Sequence, residues 1–134
     1  MKTKLLSYDT TDRQVTDLTG DVVAFVQTLG DGFVNVFVPH ATAGVAIVET
    51  GSGTEPDLLA AIDRLLPRDD RYAHRHGSPG HGADHVLPAF VSPSVVVPVI
   101  AREPALGTWQ SIVLVDTNRD NPRRQVRLSF LASP

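Results

Sequence analysis

Clusters of Gly, Pro, Asn and Asp cut this chain into short apolar runs rich in β-branched residues, and that punctuation limits the fold more than any other feature. Three such runs close the sequence: Val95–Ile100 (VVVPVI), Thr108–Asp116 (TWQSIVLVD) and Gln125–Leu131 (QVRLSFL). In the last, Val126, Leu128 and Phe130 alternate with Arg127 and Ser129, the pattern of an antiparallel strand with one face in the core. Upstream, Phe33–Val38 ends at Pro39, and Gly44–Val48 (GVAIV) follows a turn of small residues that carries His40. Lys4–Tyr8 and Arg13–Thr16 read as N-terminal strands joined by the polar turn Asp9–Asp12.

Two segments carry helical spacing instead. Asp17 can cap a helix whose face is Leu18, Val22, Val26 and Leu29, stopped by Gly30 and Gly32. Leu58, Leu59, Ile62, Leu65 and Leu66 define a second helix over Asp57–Leu66, closed by Pro67. About six strands and two helices that do not alternate imply an α+β fold: one compact domain over residues 1–134, with antiparallel or mixed sheets in a sandwich-like arrangement and the helices packed on them. A chain of 134 residues buries enough surface to fold without disulfides or a structural metal, so any metal is expected to be functional.

Charge and composition remove several functions. Twelve basic against fifteen acidic residues, interspersed, argue against a nucleic-acid partner. The absence of cysteine excludes thiolate metal sites and a Cys nucleophile. Residues 1–10 (MKTKLLSYDT) lack the apolar core of a secretory signal, and no stretch is long enough to span a bilayer, so a cytoplasmic protein without a membrane partner is expected. Dinucleotide, P-loop, serine-hydrolase and zincin motifs are missing.

The chemistry concentrates in histidine. Residues 72–85 (YAHRHGSPGHGADH) place four imidazoles in fourteen positions of an apolar-poor loop running from Arg68 to Asp84 and its far end, and imidazole is the commonest ligand of zinc-like metals. His85 is favoured as a ligand because the apolar Val86 and Leu87 behind it can hold it rigid, whereas His76 and His81 read as bystanders. His74 and His76 flank Arg75 and would face opposite ways on an extended chain. His40 stands among Pro39, Ala41, Thr42, Ala43 and Gly44, small neighbours that let backbone approach a ligand; a turn histidine bonded to backbone is the alternative. Glu49 and Asp116 each end a strand, where a carboxylate can orient an imidazole or act as base, or simply be solvated. Arg123 and Arg124 could clamp a phosphate or form a charged turn. Trp109, the only tryptophan, reads as core, leaving Thr108 and Gln110 to offer polar contacts to a ligand.

The ordered set HATAG with Glu49 downstream, DLL with LLP, YAH with DH, LGTWQ and NPRR, spanning Phe33 to Arg124, resembles the YjbQ family, also called the secondary thiamine-phosphate synthase family. That resemblance implies a small α+β homotrimer with a site near subunit boundaries, a weak thiamine-phosphate synthase activity, and a primary role that is unsettled. It matches His40, His74 and His85 to family histidines, here read as a divalent-metal site for zinc or magnesium, or a phosphate site. Glu49, Thr108, Trp109, Gln110 and Arg123 also fall on matching positions. Together these give His40, Glu49 and Asp116 as catalytic candidates, and Thr42, Gly44, Thr108, Trp109, Gln110 and Arg123 as contacts for a small phosphorylated or anionic molecule. The chain departs from the commoner pattern at Ala41 for Thr, His81 for Asn, Ser92 for Gly, and DTNRDNPR for a shorter Glu-containing segment, which puts Asp116 in place of a Glu. The implied reading is a transferase of the thiamine-phosphate synthase kind; the competing ones are a trimeric module that binds an anionic metabolite without chemistry, and a purely structural trimer.

Overall fold

Ile112 to Val115 form an unbroken apolar run because both faces of their strand are covered. In the computed structural model, which describes residues 1–134, the elements in chain order are β1 (Lys2–Asp9), β2 (Val15–Asp17), α1 (Thr19–Val26), β3 (Gly32–Phe37), β4 (Gly44–Val48), α2 (Thr54–Leu65), α3 (His81–Val86), β5 (Ser94–Ile100), β6 (Glu103–Pro104), β7 (Ser111–Val115) and β8 (Arg123–Ala132), with a single 3-10 turn at Leu87–Ala89. They make two antiparallel sheets, one ordered β1-β8-β3-β5-β6 and one ordered β2-β7-β4.

Alternation decides what each sheet buries. Val34, Val36, Val97, Val99, Val126, Leu128 and Phe130 line the inner face of the five-stranded sheet and meet Val45, Ile112 and Leu114 of the three-stranded one, with Leu18, Val22 and Val26 from α1 completing the cluster. The other face of β7, Val113 and Val115, packs on Ile62, Leu66, Ala83 and Leu87 from the α2 and α3 region. β7 is thus the shared wall of two cores, as an unalternating apolar strand requires. No helix is long and apolar enough to cross a membrane.

Most of the predicted elements occur, with shifted ends. The second helix starts at Thr54, ahead of the expected Asp57: Gly53 at φ 89° turns the chain, and the acidic Glu55 and Asp57 sit in the first turn, where they complement the helix dipole. Leu65, expected on the apolar face, is exposed. Two elements are additional: α3, which begins within the Arg68–Asp84 segment read as loop and runs past its end, and β6, which follows a turn with Ala101 at φ 52° and Arg102 at φ 69°. The strand expected over Thr108–Asp116 covers only Ser111–Val115. Residues 107–110 instead form a turn in which Gln110 donates its N–H to the Gly107 carbonyl and accepts the Gly107 N–H through Oε1. Trp109 consequently lies 73% exposed and is not a core residue.

Candidate functional site

The pairing of β4 with β7 separates the predicted site residues into two groups. Gly44 lies opposite Val115 and Val48 opposite Ser111, so His40, Thr42, Gly44 and Asp116 cluster at one end of this sheet. Glu49 and the Thr108–Gln110 turn lie at the other end, about 17 Å away at the rise of a five-residue strand. Within one chain these two groups do not share a pocket.

At the first end the dominant feature is a buried ion pair. Arg124 donates from Nε to Asp116 Oδ2 at 2.7 Å and from Nη2 to Asp116 Oδ1 at 3.0 Å, and Nη2 also reaches the Thr42 hydroxyl oxygen at 2.8 Å. Thr10 adds its hydroxyl to Asp116 Oδ2 at 2.6 Å, and the Asn118 N–H bonds Oδ1 at 3.0 Å. Four donors occupy the Asp116 carboxylate and leave it no lone pair for proton transfer, so the base role considered for it has no geometric footing in this chain. The anion-clamp reading of Arg123 and Arg124 divides likewise: Arg124 is buried against Asp116, and Arg123 is exposed. Thr42 is a partner of the ion pair rather than an open ligand contact. Gly44 serves packing, since a Cβ there would lie 2.1 Å from the Val91 carbonyl oxygen.

His40 continues the five-stranded ladder just past β3, where Nε2 accepts the backbone N–H of Gln125 at 2.9 Å. Partial burial, then the Arg124 guanidinium, hold its pKa below the ordinary imidazole value against an upward pull from Asp116. A neutral ring with its Nε2 lone pair engaged matches the turn-histidine reading.

The other four histidines converge. His74, His76, His81 and His85 each offer a ring nitrogen, and these atoms all lie within 4.8 Å of one another. The expected set of His40, His74 and His85 is therefore regrouped: His40 stands outside this cluster, and His76 and His81, read as bystanders, stand inside it. His81 and His85 are four residues apart on α3, so one helix face presents both, with their Nε2 atoms 3.0 Å apart. His74 and His76 approach from the loop, their ring centroids 4.0 Å apart, because the chain there is irregular and not extended.

Glycines permit this approach. Gly80, at φ 78°, starts α3, and at Gly82 a Cβ would lie 2.4 Å from Tyr72 Cβ and 2.9 Å from the His74 carbonyl oxygen. Tyr72 is tied down by its hydroxyl, which donates to the Pro67 carbonyl at 2.8 Å.

Behind α3 lies a second buried ion pair. Asp84 is fully buried and takes Arg68 through both oxygens, at 2.5 and 3.2 Å, and the Thr117 hydroxyl at 2.9 Å. Partial desolvation and the neighbouring imidazoles lower the pKa of both His74 and His85. Neutral imidazole is the ligand form, so the packing favours the state that coordinates a cation. Beside the rings a groove of about 220 Å³ is lined by Tyr72, His74, Arg75, His76 and His81 among others. Residues not singled out from the sequence, namely Arg68, Asp84, Thr117 and Asp120, support the cluster; the one available signal was the i, i+4 spacing of His81 and His85.

A donor set of four imidazoles suits a borderline, nitrogen-preferring ion such as zinc, and does not suit magnesium, which takes oxygen ligands. The zinc half of the expected cofactor fits these residues.

Comparison with known proteins places this architecture. The family model described as UPF0047 protein YjbQ-like matches residues 4–133. A UPF0047 protein of Mycobacterium tuberculosis is 66% identical over 131 residues, covering 98% of each chain. One of Archaeoglobus fulgidus is 33% identical over 113 residues, covering 84% of this chain and 88% of its own. Among solved structures, a hypothetical protein from Aeropyrum pernix superposes with TM-score 0.87 at 32% identity, over 99% of this chain and 100% of that one. A protein of unknown function from Sulfolobus solfataricus gives TM-score 0.88 at 25% identity, over 98% and 97%. With the match over residues 4–133, the shared fold and the ordered motifs in agreement, the chain belongs to the UPF0047, YjbQ-like family.

Proposed function

We propose that this protein binds one zinc-like divalent ion through its histidine cluster and acts, as a cytoplasmic homotrimer, on a small phosphorylated molecule, in a transfer of the thiamine-phosphate synthase kind. The observation that supports this reading is the gathering of four ring nitrogens within 4.8 Å of one another. Four imidazoles with their ring nitrogens turned toward one another, His74 and His85 among them held in the neutral form, present the convergent lone pairs that a divalent cation takes.

In such a transfer a thiazole phosphate displaces pyrophosphate from a pyrimidine pyrophosphate, and charge builds on the leaving group. A bound divalent ion supplies Lewis-acid stabilisation of that charge. The residues do the rest. His74, His76, His81 and His85 would hold the ion; the groove beside them receives the phosphate; Arg75, which lines the groove, offers it a guanidinium. Glu49 and the Thr108–Gln110 turn, remote within one chain, can reach a site only from a neighbouring subunit, which agrees with the boundary location that the resemblance implies.

The test is elemental analysis of purified protein together with pyrophosphate release, with and without chelator. About one zinc per chain, lost in His74→Ala and His85→Ala, and turnover that stops on chelation are the expected results. Protein devoid of metal, or turnover indifferent to it, sinks the reading. The four-donor set also favours a second reading, a metal-binding module without chemistry, because four protein ligands can close a tetrahedral site as structural zinc sites do. Zinc and metabolite binding without product would select it.

A further inference from the structure

The four rings are not fastened alike. His74 and His76 rise from exposed chain, whereas His81 is buried, 7% exposed, with carboxylates on its far side. Its Nδ1 lies 3.0 Å from Asp120 Oδ2 and 3.5 Å from Asp84 Oδ2, while its Nε2 faces His85 Nε2 at 3.0 Å. Asp84 is already engaged by Arg68 and Thr117. Asp120 is therefore the nearer carboxylate, within ion-pair distance of a buried His81 Nδ1 that makes no aligned hydrogen bond in the chain.

Asp120 is itself placed. Its Oδ2 accepts the Ser78 N–H at 3.0 Å, and its own N–H donates to Asn118 Oδ1 at 3.0 Å. Asn118 in turn bonds the Thr42 hydroxyl at 3.2 Å, so the segment between β7 and β8 is anchored at the buried Arg124–Asp116 pair and reaches the histidines at its other end. A carboxylate behind one ring nitrogen keeps the proton there and turns the opposite lone pair outward, the arrangement that orients metal-bound histidines.

We propose that Asp120 is a positioning residue that holds His81 in the Nδ1–H tautomer as a metal ligand, so that the β7–β8 segment is part of the metal site. This rests on the metal-binding reading above. It assigns a role to a residue of this chain that touches no metal itself, and it makes His81 a ligand rather than a filler of the loop.

The experiment titrates the purified full-length protein with zinc, against a competing chelator, and with cobalt, read by its visible absorption. Asp120→Asn keeps the shape of the side chain but removes the charge. It is expected to weaken zinc affinity by roughly 10- to 100-fold and to alter the cobalt spectrum, with Asp120→Glu restoring most of both. His81→Ala should show a loss of similar size, and adding Asp120→Asn to it should cost nothing further, because the two act through one contact. Nitrogen-15 NMR of the metal-free protein should show His81 protonated at Nδ1 in the wild type and mixed in Asp120→Asn, a readout independent of metal. Wild-type affinity and spectrum in both Asp120→Asn and His81→Ala, with loss confined to His74→Ala and His85→Ala, overturns the role of Asp120 and leaves the metal-binding reading intact. A wild-type protein that binds neither ion overturns both, and binding that falls in His81→Ala alone removes Asp120 while retaining His81.

Discussion

Gln125 lies two residues beyond Arg127, where the pairing of β3 with β8 ends, and its backbone N–H finds an acceptor in His40 Nε2. That bond exists while the ring is neutral. Burial and Arg124 push its pKa below the free value of about 6.5, so below that pH the unfolded chain takes up the proton first. The folded state then binds fewer protons than the unfolded one, and the contribution of His40 to stability, complete above the free value, is lost as pH falls toward the folded one. Replacing His40 with Gln removes the titration. Denaturant unfolding at pH 7.5 and 5, with chelator present to exclude metal linkage, should show a larger acid loss in the wild type than in His40→Gln, and zinc stoichiometry should be unchanged by the substitution. Asp116 shows why residue roles were harder to read than residue positions. The sequence marks an acid at a strand end, but only the fold reveals that Arg124, Thr10 and Asn118 consume its lone pairs.

At the scale of elements, α3 carries the site and is the element least visible beforehand. Its sequence, HGADHV, contains Gly and is only six residues long, too short for a hydrophobic period to emerge. Without the helix, the spacing of His81 and His85 has no geometric meaning. Hence His81 looked incidental. The β5–β6 hairpin was hidden similarly, since its turn uses Ala101 and Arg102 at positive φ where glycine or asparagine is the usual signal. By contrast β7 and β8 were legible because burial on two faces and on one face write different patterns, IVLV and VRLSF. Gly82 ties α3 to the loop. Gly82→Ala would gain roughly 1 kcal/mol of helix propensity, against about 1–3 kcal/mol for forcing a Cβ into Tyr72 and the His74 backbone. The clash is expected to win: unfolding midpoints should drop, and zinc affinity should fall as His74 is pushed from the other rings. A more stable protein with undiminished affinity would show that the loop yields freely.

On the whole molecule, the outer face of the five-stranded sheet bears what a lone subunit should not expose. Phe33, Val96, Ile100 and Leu131 are 53 to 63% exposed, with Phe37 and Pro98 beside them. The register makes them one patch, because Phe33 lies opposite Pro98 on β5 and opposite Leu131 on β8. Contiguous apolar surface of this kind suits an interface, and the trimer proposed above would give it an occupant of the same chain. A charge placed at its centre would be buried without a partner on assembly, yet would cost the separate subunit little because the position faces water. Phe33→Asp should therefore convert the assembly to monomer in light scattering, while unfolding of the dilute monomer changes little. If Glu49 and the Thr108–Gln110 turn serve a neighbouring subunit's site, the same substitution should also reduce turnover without removing zinc, since all four imidazoles belong to one chain. Turnover retained by a proven monomer would confine the site to the histidine end of a single subunit.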